Sequence, residues 1–227
     1  GKGFDLYLMW HGVKDDTKWN DPENEVCISF GPLCGNTSYP GSGKSIVTTI
    51  SPLTGIPVDC NVGGHFGPYC KFAGFDALEL QGIADEEVIV YIDGDKGIVK
   101  LLSAPDKEIN SHVLAESLHK EFAENEDKLQ NISVVSSGQA ADNVLITCLN
   151  FSFWDKRRKV ARLKQAGRGG TGTAFRHKKI KALVVKYSGL KVDTNSPVDL
   201  PTLQKTGLKL HKEIEAGDDT QCRMHQV

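Results

Sequence analysis

Residues 160–190 read VARLKQAGRGGTGTAFRHKKIKALVVKYSGL. A basic run compatible with a helix, residues 160–166, leads into glycines at positions 167, 169, 170 and 172, and the apolar strand Ala182–Val185 follows. Glycines let a backbone adopt φ > 0 and approach a bound group closely. Because exposed N–H groups in such a loop form an anion-binding nest, the segment predicts either a phosphate site or a flexible surface loop.

Positive charge is concentrated just before the glycines. Seven Lys or Arg and no acid lie between Lys156 and Arg168, although the whole chain has a formal net charge of -2. The basic run therefore favours a local contact with phosphate or another anion, with a solvated basic face as the simpler interpretation. A nucleic-acid interface is a third and weaker interpretation, because aromatic residues other than Phe175 do not alternate with the cations.

Size and composition indicate a globular chain without a membrane segment. The 227 residues leave room for one large domain, or for one domain and a small appendage. No apolar run approaches the ~20 residues of a membrane span, and no signal peptide is recognisable, so a cytoplasmic location is predicted. The chain begins at Gly1 without a methionine, which suggests a processed chain or a fragment.

The six cysteines are scattered and form no CxxC pair. A chain of this size needs no disulfides, so reduced thiols are the favoured interpretation, although an even number of cysteines permits pairing. None of the spacings is typical of a complete zinc or iron–sulfur site. Cys34, Cys60 and Cys70 are therefore predicted to be small buried side chains rather than metal ligands.

Alternating and β-branched segments predict a mixture of strands and helices. The expected strands are residues 26–30, 46–50, 77–81, 87–93, 97–102, 132–136, 144–149 and 182–185, and the expected helices are 65–73, 110–125 and 203–216. Residues 4–10, FDLYLMW, are apolar enough for a buried helix or strand. The composition changes after Gly189, where a linker with prolines precedes the last helix, so we expect a second unit to begin there.

The motif Pro40–Ser45, PGSGKS, imitates a nucleotide-binding P-loop. The full pattern needs a glycine five positions before Gly43, and Ser38 stands there. A P-loop also leads into a helix whose N-terminus holds the phosphates, whereas the residues after Lys44 predict a strand. A nucleotide-hydrolysing enzyme is therefore not expected, but Lys44 projects from a glycine loop and is a candidate contact for an anion.

Six short motifs occur in a fixed order along the chain. They are Gly31–Gly35 (GPLCG), Pro40–Lys44 (PGSGK), Ser51–Gly55 (SPLTG), Asn61–Gly67 (NVGGHFG), Lys71–Ala77 (KFAGFDA), and Ala166–Gly172 (AGRGGTG) with Lys181–Ala182. Each motif is weak by itself, but together they are specific. The order and spacing resemble the N-terminal domain of the tungsten-containing aldehyde ferredoxin oxidoreductases, over most of residues 1–190.

The resemblance implies a fold and a division of the chain. The fold is α+β, with two mixed β-sheets in a saddle related by pseudo-twofold symmetry and short helices between them. Residues 1–190 would be the tungstopterin-binding N-terminal domain without its first hairpin. Residues 191–227 would be the truncated opening of a second, helical domain.

The resemblance also implies a cofactor and its contacts. Asn61 and Gln165 would offer backbone carbonyls to a magnesium ion between two pterin phosphates, Lys44 and Lys164 stand where the family carries arginines, and Arg168 matches directly. The implied cofactor-binding residues are Lys44, Asn61, Gly63, Gly64, Lys164, Gln165, Ala166, Gly167, Arg168, Gly169 and Gly170. No catalytic residue is expected in this chain, and His65 is expected to be a packing residue, with general acid or base as its alternative.

The function implied by the resemblance is oxidation of an aldehyde to a carboxylic acid by a tungsten or molybdenum bis-pyranopterin. Electrons would leave through a four-iron four-sulfur cluster, with ligands outside this chain, to ferredoxin or an iron–sulfur electron-transfer subunit. Because the cluster ligands are missing, a non-catalytic cofactor-binding or assembly module that needs a partner chain is the alternative. Missing catalytic domains or a partner chain would complete the active site, and a homodimer is a separate expectation.

Overall fold

The computed structural model describes residues 1–104, 110–189 and 195–221, with side chains up to residue 217, and has an α+β fold. Two β-sheets carry short helices between their strands and a longer helix at the C-terminal end. The α-helices are α1 (Lys2–Gly12), α2 (Phe66–Phe72), α3 (Ser111–Phe122), α4 (Thr171–His177) and α5 (Leu200–Gln221), and the 3-10 helices are Glu126–Asn131 and Gln139–Asp142.

The first sheet has four strands in the order β3-β2-β1-β4, and each neighbouring pair is antiparallel. Its strands are β1 (Val26–Phe30), β2 (Ser45–Ile50), β3 (Pro57–Val62) and β4 (Ala77–Leu80). Every residue of β1 is buried, as expected for a strand with neighbours on both sides. Strand β3 follows the turn at Ser51, whose hydroxyl accepts hydrogen bonds from the N–H groups of Leu53 and Thr54.

The second sheet has six strands in the order β6-β5-β10-β7-β8-β9 and is mixed. Its strands are β5 (Val88–Asp93), β6 (Ile98–Ser103), β7 (Ile132–Ser136), β8 (Leu149–Asp155), β9 (Val160–Ala166) and β10 (Ile180–Lys186). Strand β10 runs parallel to β5 and antiparallel to β7. Its seven residues are all buried, including Lys186, whose ammonium donates to the carboxylate of Glu124 at 2.7 Å.

The structure confirms most predicted elements. Strand β7 has the predicted limits, three neighbouring strands agree within a residue or two, and β2 follows Lys44 where a P-loop would have a helix. The helix predicted at 110–125 is α3, and Asn110 caps it by accepting a hydrogen bond from the N–H of His112 at 2.8 Å. No sequence pattern predicts β3 or α4.

Two predictions around residues 144–166 are wrong. The strand expected at 144–149 begins only at Leu149, and the basic run expected to be helix-compatible is the antiparallel hairpin of β8 and β9. Strand β9 lies at the edge of its sheet, so Arg162 and Lys164 extend into solvent while Ala161 and Ala166 are buried. Charged side chains on an edge strand are a common protection against pairing with other chains.

The segment at residues 4–10 is a helix, but most of its apolar side chains are not buried. Only Asp5 and Met9 of α1 are buried, whereas Trp10 is 83% exposed. The Asp5 carboxylate accepts a hydrogen bond from the Thr48 hydroxyl at 2.9 Å, and burial raises the pKa of this carboxyl. The usual arrangement of an amphipathic helix is therefore reversed in α1, because the polar Asp5 is buried and the aromatic Trp10 is exposed.

The main core lies between the two sheets. It combines side chains of β1, β2 and β3 with those of β7, β8 and β10, and α2 and α4 close it. Phe66 of α2 and Phe151 of β8 meet edge to face with ring centroids 5.7 Å apart. This shared core fixes the edge of the first sheet against the edge of the second.

Three expectations from the resemblance stay predictions: the saddle shape, the pseudo-twofold symmetry and the division into two domains. The expected boundary at residues 190 and 191 lies outside the described residues, as does Cys222. Among the helices of the described part of the chain, none is long and apolar enough to cross a membrane.

Candidate functional site

The candidate site lies where the two sheets meet. Strand β3 is the edge of the first sheet, β9 is the edge of the second, and the two strands contact each other. Lys164 shares a cleft with Gly63, just after β3, while a side chain at Gly169 would meet Val58 of β3 at 2.6 Å. The two edges therefore run past each other between this cleft and the close approach of Gly169 to Val58.

The cleft has a volume of about 340 Å³. Three segments line it: the glycine loop before β2, the loop between β3 and α2, and the hairpin strands β8 and β9. The lining residues are Gly41, Gly43, Lys44, Gly63, Gly64, His65, Phe153 and Lys164. Four residues implied by the resemblance are thus brought together here from three distant parts of the sequence, Lys44, Gly63, Gly64 and Lys164.

The charge of the cleft is positive. Lys44 and Lys164 are its charged residues, no acidic side chain lines it, and neither lysine has an ion pair with any residue that the structure describes. Both side chains are exposed. An unpaired pair of ammonium groups beside glycine backbone is suited to an anionic ligand such as phosphate.

Glycines keep the cleft open. A Cβ added at Gly63 would meet no atom within 4 Å, and at Gly43 the nearest atom would be the Gly64 carbonyl oxygen at 3.9 Å. Gly64 itself has a φ of 105°, a conformation that L side chains rarely adopt. The space above Gly63 is therefore open, and a side chain at this position would fill part of the cleft without pushing on the protein.

One wall of the cleft is aromatic. His65 lies between Phe153, with ring centroids 5.4 Å apart, and Tyr69, whose hydroxyl is 3.4 Å from Nδ1 of His65. The Tyr69 hydroxyl donates to the Gln130 carbonyl at 2.6 Å. Burial lowers the pKa of His65, so the imidazole is neutral near pH 7. The sequence did not identify Phe153, because a phenylalanine in an alternating strand carries no signal that separates a cleft wall from a core face.

The glycine-rich loop after β9 is packed tightly against the protein. A Cβ at Gly170 would overlap the carbonyl oxygen of Leu145, and one at Gly172 would overlap that of Cys148. Gly169 and Gly170 have φ values of 68° and 69°. The N–H of Gly172 donates to the Thr147 carbonyl at 3.0 Å. These glycines are required by close packing, and this requirement is separate from any contact with a ligand.

The other residues implied by the resemblance lie on β3, on β9 or just beyond it. Asn61 and Gln165 have exposed side chains and lie between the two points where the sheet edges touch. Ala166 is buried in the main core, and its carbonyl accepts a hydrogen bond from the Thr171 hydroxyl at 3.0 Å. Gly167 and Arg168 are exposed, and Arg168 has no ion pair within the described part of the chain.

The five described cysteines are free thiols. Cys27, Cys34, Cys60 and Cys70 are buried. Burial raises the pKa of Cys34 to about 11, so this thiol is protonated at neutral pH and is a poor metal ligand. Among the residues that the structure describes, no cluster of three or more His, Cys, Asp or Glu could hold a metal ion.

The two sheets and the cationic cleft between their edges define a class of α+β domain, and sequence comparison identifies its family. The family "Aldehyde ferredoxin oxidoreductase, N-terminal domain" matches residues 1–187. The chain therefore belongs to this oxidoreductase domain family, as the ordered motifs predict.

Individual relatives agree with this assignment. The tungsten-containing aldehyde ferredoxin oxidoreductase of Pyrococcus abyssi is 32% identical over 197 residues, which cover 82% of this chain and 28% of the relative. The aliphatic sulfonate oxidoreductase, WOR-like subunit, of Pyrococcus furiosus is 28% identical over 200 residues, which cover 83% of this chain and 30% of the relative. The chain thus spans less than a third of the length of these relatives.

A solved structure confirms the fold. The active site complex BamBC of benzoyl coenzyme A reductase, in complex with 1,5-dienoyl-CoA, superposes with a TM-score of 0.68 at 27% identity. The match covers 83% of this chain and 26% of that chain. Similar domains thus occur in enzymes whose names give an aldehyde, an aliphatic sulfonate or benzoyl coenzyme A.

Proposed function

We propose that the cleft between β3 and β9 binds a tungsten or molybdenum bis-pyranopterin cofactor through its phosphates, as one part of a larger oxidoreductase. The observation that carries this proposal is the combination of an open glycine surface at Gly63 with the unpaired cations Lys44 and Lys164. Family membership and the tungsten-containing relatives support the choice of cofactor.

The cleft fits such a group in size and chemistry. Its volume of about 340 Å³ lies at the lower end of the range for small-molecule sites, roughly 300–1,000 Å³. It would enclose one end of a pterin, and the domains beyond this chain would enclose the rest. Lys44 and Lys164 would bind phosphate oxygens, and Arg168 beyond the end of β9 would add a further cation.

We propose a magnesium ion next to the phosphates, held by backbone carbonyls at Asn61 and Gln165. Both residues lie near the ends of edge strands that pass each other, and the side chains of both are exposed. Magnesium prefers oxygen ligands and keeps several waters, so it needs few ligands from the protein. Replacing the Gln165 side chain would leave the backbone carbonyl in place, so magnesium binding should tolerate substitutions at this position.

The iron–sulfur cluster of the complete assembly would have its ligands outside this chain. A cubane cluster needs four cysteine thiolates, typically closely spaced. The cysteines of the described region lie on different elements, and burial keeps the Cys34 and Cys70 thiols protonated by raising their pKa values. Domains or a partner chain with about two thirds of the relatives' length would supply the cluster and the substrate pocket.

We propose aldehyde oxidation as the reaction: an aldehyde and water give a carboxylic acid, two protons and two electrons, and the electrons pass to ferredoxin or an iron–sulfur subunit. When bound, the metal and pterins supply the redox chemistry. Residues of this chain bind and orient the cofactor, and the wall of His65 and Phe153 excludes water from one side of it. A neutral His65 adds no charge, so the positive charge of the cleft comes from Lys44 and Lys164.

The test combines analysis of metal and pterin content with an assay of aldehyde oxidation. The intact protein, purified anaerobically from its source with any partner chains, is expected to contain tungsten or molybdenum and about two pterins. It should reduce a viologen dye with at least one aldehyde. An active preparation that contains neither metal would overturn the proposed cofactor, and one that carries the metal but ignores aldehydes would overturn only the proposed substrate.

A cofactor-binding or assembly module without catalysis of its own is the second candidate, because a cationic, glycine-lined cleft would serve such a module equally well. Residues 1–227 span 28% of the relative from Pyrococcus abyssi. Expressed anaerobically with tungstate or molybdate, this segment by itself is expected to show neither viologen reduction nor iron–sulfur absorbance. Turnover comparable to a complete enzyme would show that the segment is catalytically sufficient.

A further inference from the structure

His65 brings a chemical property to the cleft that the proposed phosphate contacts do not use. The side chains that line the described cleft are those of Lys44, His65, Phe153 and Lys164. The two ammonium groups can only donate hydrogen bonds, and the phenyl ring has no polar atom. Among these side chains, His65 is therefore the one that could accept a hydrogen bond from a ligand.

Neighbouring aromatic rings hold the His65 ring in place. Its centroid lies 5.4 Å from that of Phe153 and 5.5 Å from that of Tyr69. Nδ1 of His65 is 3.4 Å from the Tyr69 hydroxyl, whereas Nε2 has no hydrogen-bond partner among the described residues. Because His65 lines the cleft, Nε2 is the ring nitrogen that is available to a ligand.

The Tyr69 hydroxyl determines which nitrogen of His65 carries the proton. Burial raises the pKa of Tyr69 to about 12, so the hydroxyl keeps its single proton, and it donates this proton to the Gln130 carbonyl at 2.6 Å. Toward Nδ1 the hydroxyl oxygen can therefore only accept, which requires a hydrogen on Nδ1. Burial also lowers the pKa of His65, so the ring carries only this one proton near pH 7 and Nε2 is an acceptor.

We propose that Nε2 of His65 accepts a hydrogen bond from an N–H group of the pterin and so fixes the orientation of the pterin ring in the cleft. This inference rests on the proposed function. A fully ionised phosphate has only acceptor oxygens, so it would bind at Lys44 and Lys164 and not at Nε2. A pterin ring combines N–H donors with a flat face that can pack against Phe153. His65 would therefore distinguish the ring of the ligand from its phosphate.

Two substitutions separate this role from simple packing. His65→Phe keeps an aromatic ring and removes the acceptor, whereas His65→Gln removes the ring and keeps an acceptor oxygen. In the intact protein, produced anaerobically with tungstate or molybdate and any partner chains, pterin retained after dialysis should fall about tenfold in His65→Phe and less than about threefold in His65→Gln. His112→Phe changes an exposed histidine of α3 and is the matched control, which should retain pterin as the wild type does.

The position of the proton is measured directly by nitrogen-15 NMR of the histidine side chains. The sample is the intact wild-type protein from cells grown without tungstate and molybdate, and His65 should carry its hydrogen on Nδ1. Tyr69→Phe removes the accepting hydroxyl, so it should lower the population of this tautomer and reduce pterin retention about two- to threefold. Tyr91→Phe removes a tyrosine hydroxyl on β5, which donates to Asp93 at 3.3 Å, and should change neither result.

The possible results decide between the two proposals. Equal retention in His65→Phe and the wild type, or lower retention in His65→Gln than in His65→Phe, would overturn this inference and leave the proposed function standing. A hydrogen on Nε2 of the cofactor-free wild type would do the same, and this measurement needs no variant to fold. Inorganic phosphate added to that sample should leave the Nε2 resonance unchanged, and a shift would place phosphate at His65 instead of the pterin ring. A wild type that contains no pterin would overturn the proposed function together with this inference.

Discussion

Two groups of glycines in this domain have opposite surroundings. Gly169, Gly170 and Gly172 lie against other parts of the chain, and a Cβ at each would meet another atom at less than 3.0 Å. Gly43 and Gly63 border open space in the cleft. The first group allows the loop after β9 to pack against β3 and against the chain just before β8, and the second leaves room for a ligand, so glycine enrichment by itself does not locate a binding site.

The largest effect is expected at Gly170. Its φ of 69° and the overlap of a Cβ with the Leu145 carbonyl combine backbone strain with a steric clash. Gly170→Val should destabilise the fold by about 3 kcal/mol or more, or prevent accumulation of folded protein. Urea unfolding measures this. A variant as stable as the wild type would show that the loop is not packed as described.

The next largest effect is expected from acid, which should lower the free energy of unfolding through the buried His119 of α3. His119 is buried, with Nδ1 2.8 Å from the Leu129 carbonyl and Nε2 2.8 Å from the Ser152 hydroxyl. Burial lowers its pKa to about 4. Because the unfolded chain binds the proton more readily, with a pKa near 6.5, stability should fall by up to about 3 kcal/mol as pH drops from 6.5 to 4.

The control for this prediction is an exposed histidine on the same helix. His112→Gln should leave the pH dependence of urea unfolding unchanged, whereas His119→Gln should flatten it between pH 4 and pH 6.5. An identical pH profile in the wild type and in His119→Gln would contradict the assigned cause.

The substitution Gly63→Val tests the glycines that border open space in the cleft. Since a Cβ at this position meets nothing within 4 Å, the free energy of unfolding should change by less than about 1 kcal/mol. The added side chain would enter the cleft, so we expect pterin content to fall tenfold or more. Gly3→Val, at another position with open space around it, is the matched control and should retain the cofactor. Equal pterin content in both variants would remove Gly63 from the site.

The smallest effects are expected from the two lysines. Lys44→Gln and Lys164→Gln each remove one charge from a solvent-exposed cleft, so pterin retained after dialysis should fall a few-fold, equivalent to about 1 kcal/mol. Lys100→Gln on β6 serves as the control. Retention should also become less sensitive to salt in each cleft variant, and unchanged retention in the double variant would argue against an electrostatic contribution.

Part of this architecture could be predicted from the sequence. Strands with strong β-branched or apolar runs, such as β7 and β10, were identified. The hairpin of β8 and β9 was not, because an edge strand with one solvated face allows Arg162 and Lys164 to interrupt the apolar pattern. On α1 the apolar sequence predicts a buried segment, but Trp10 is exposed and the buried residues include Asp5.

Most of the candidate site was predictable only where a resemblance supplied the residues. The glycine loop itself predicts Lys44 as an anion contact, the resemblance adds Gly63 and Lys164, and the fold brings all three into one cleft. What the sequence could not show is which glycines face open space, because this depends on neighbours such as Leu145 and Val58 that are distant in the chain. Phe153 was missed for the same reason.

The most direct test of the central claim is to locate the metal. Crystals of the intact protein, measured with anomalous scattering at the tungsten or molybdenum absorption edge, should show one heavy-metal site per chain. Pterin density should extend from it into the cleft bounded by Lys44, Gly63 and Lys164. A metal site with pterin density elsewhere, leaving this cleft filled only by solvent, would contradict the account.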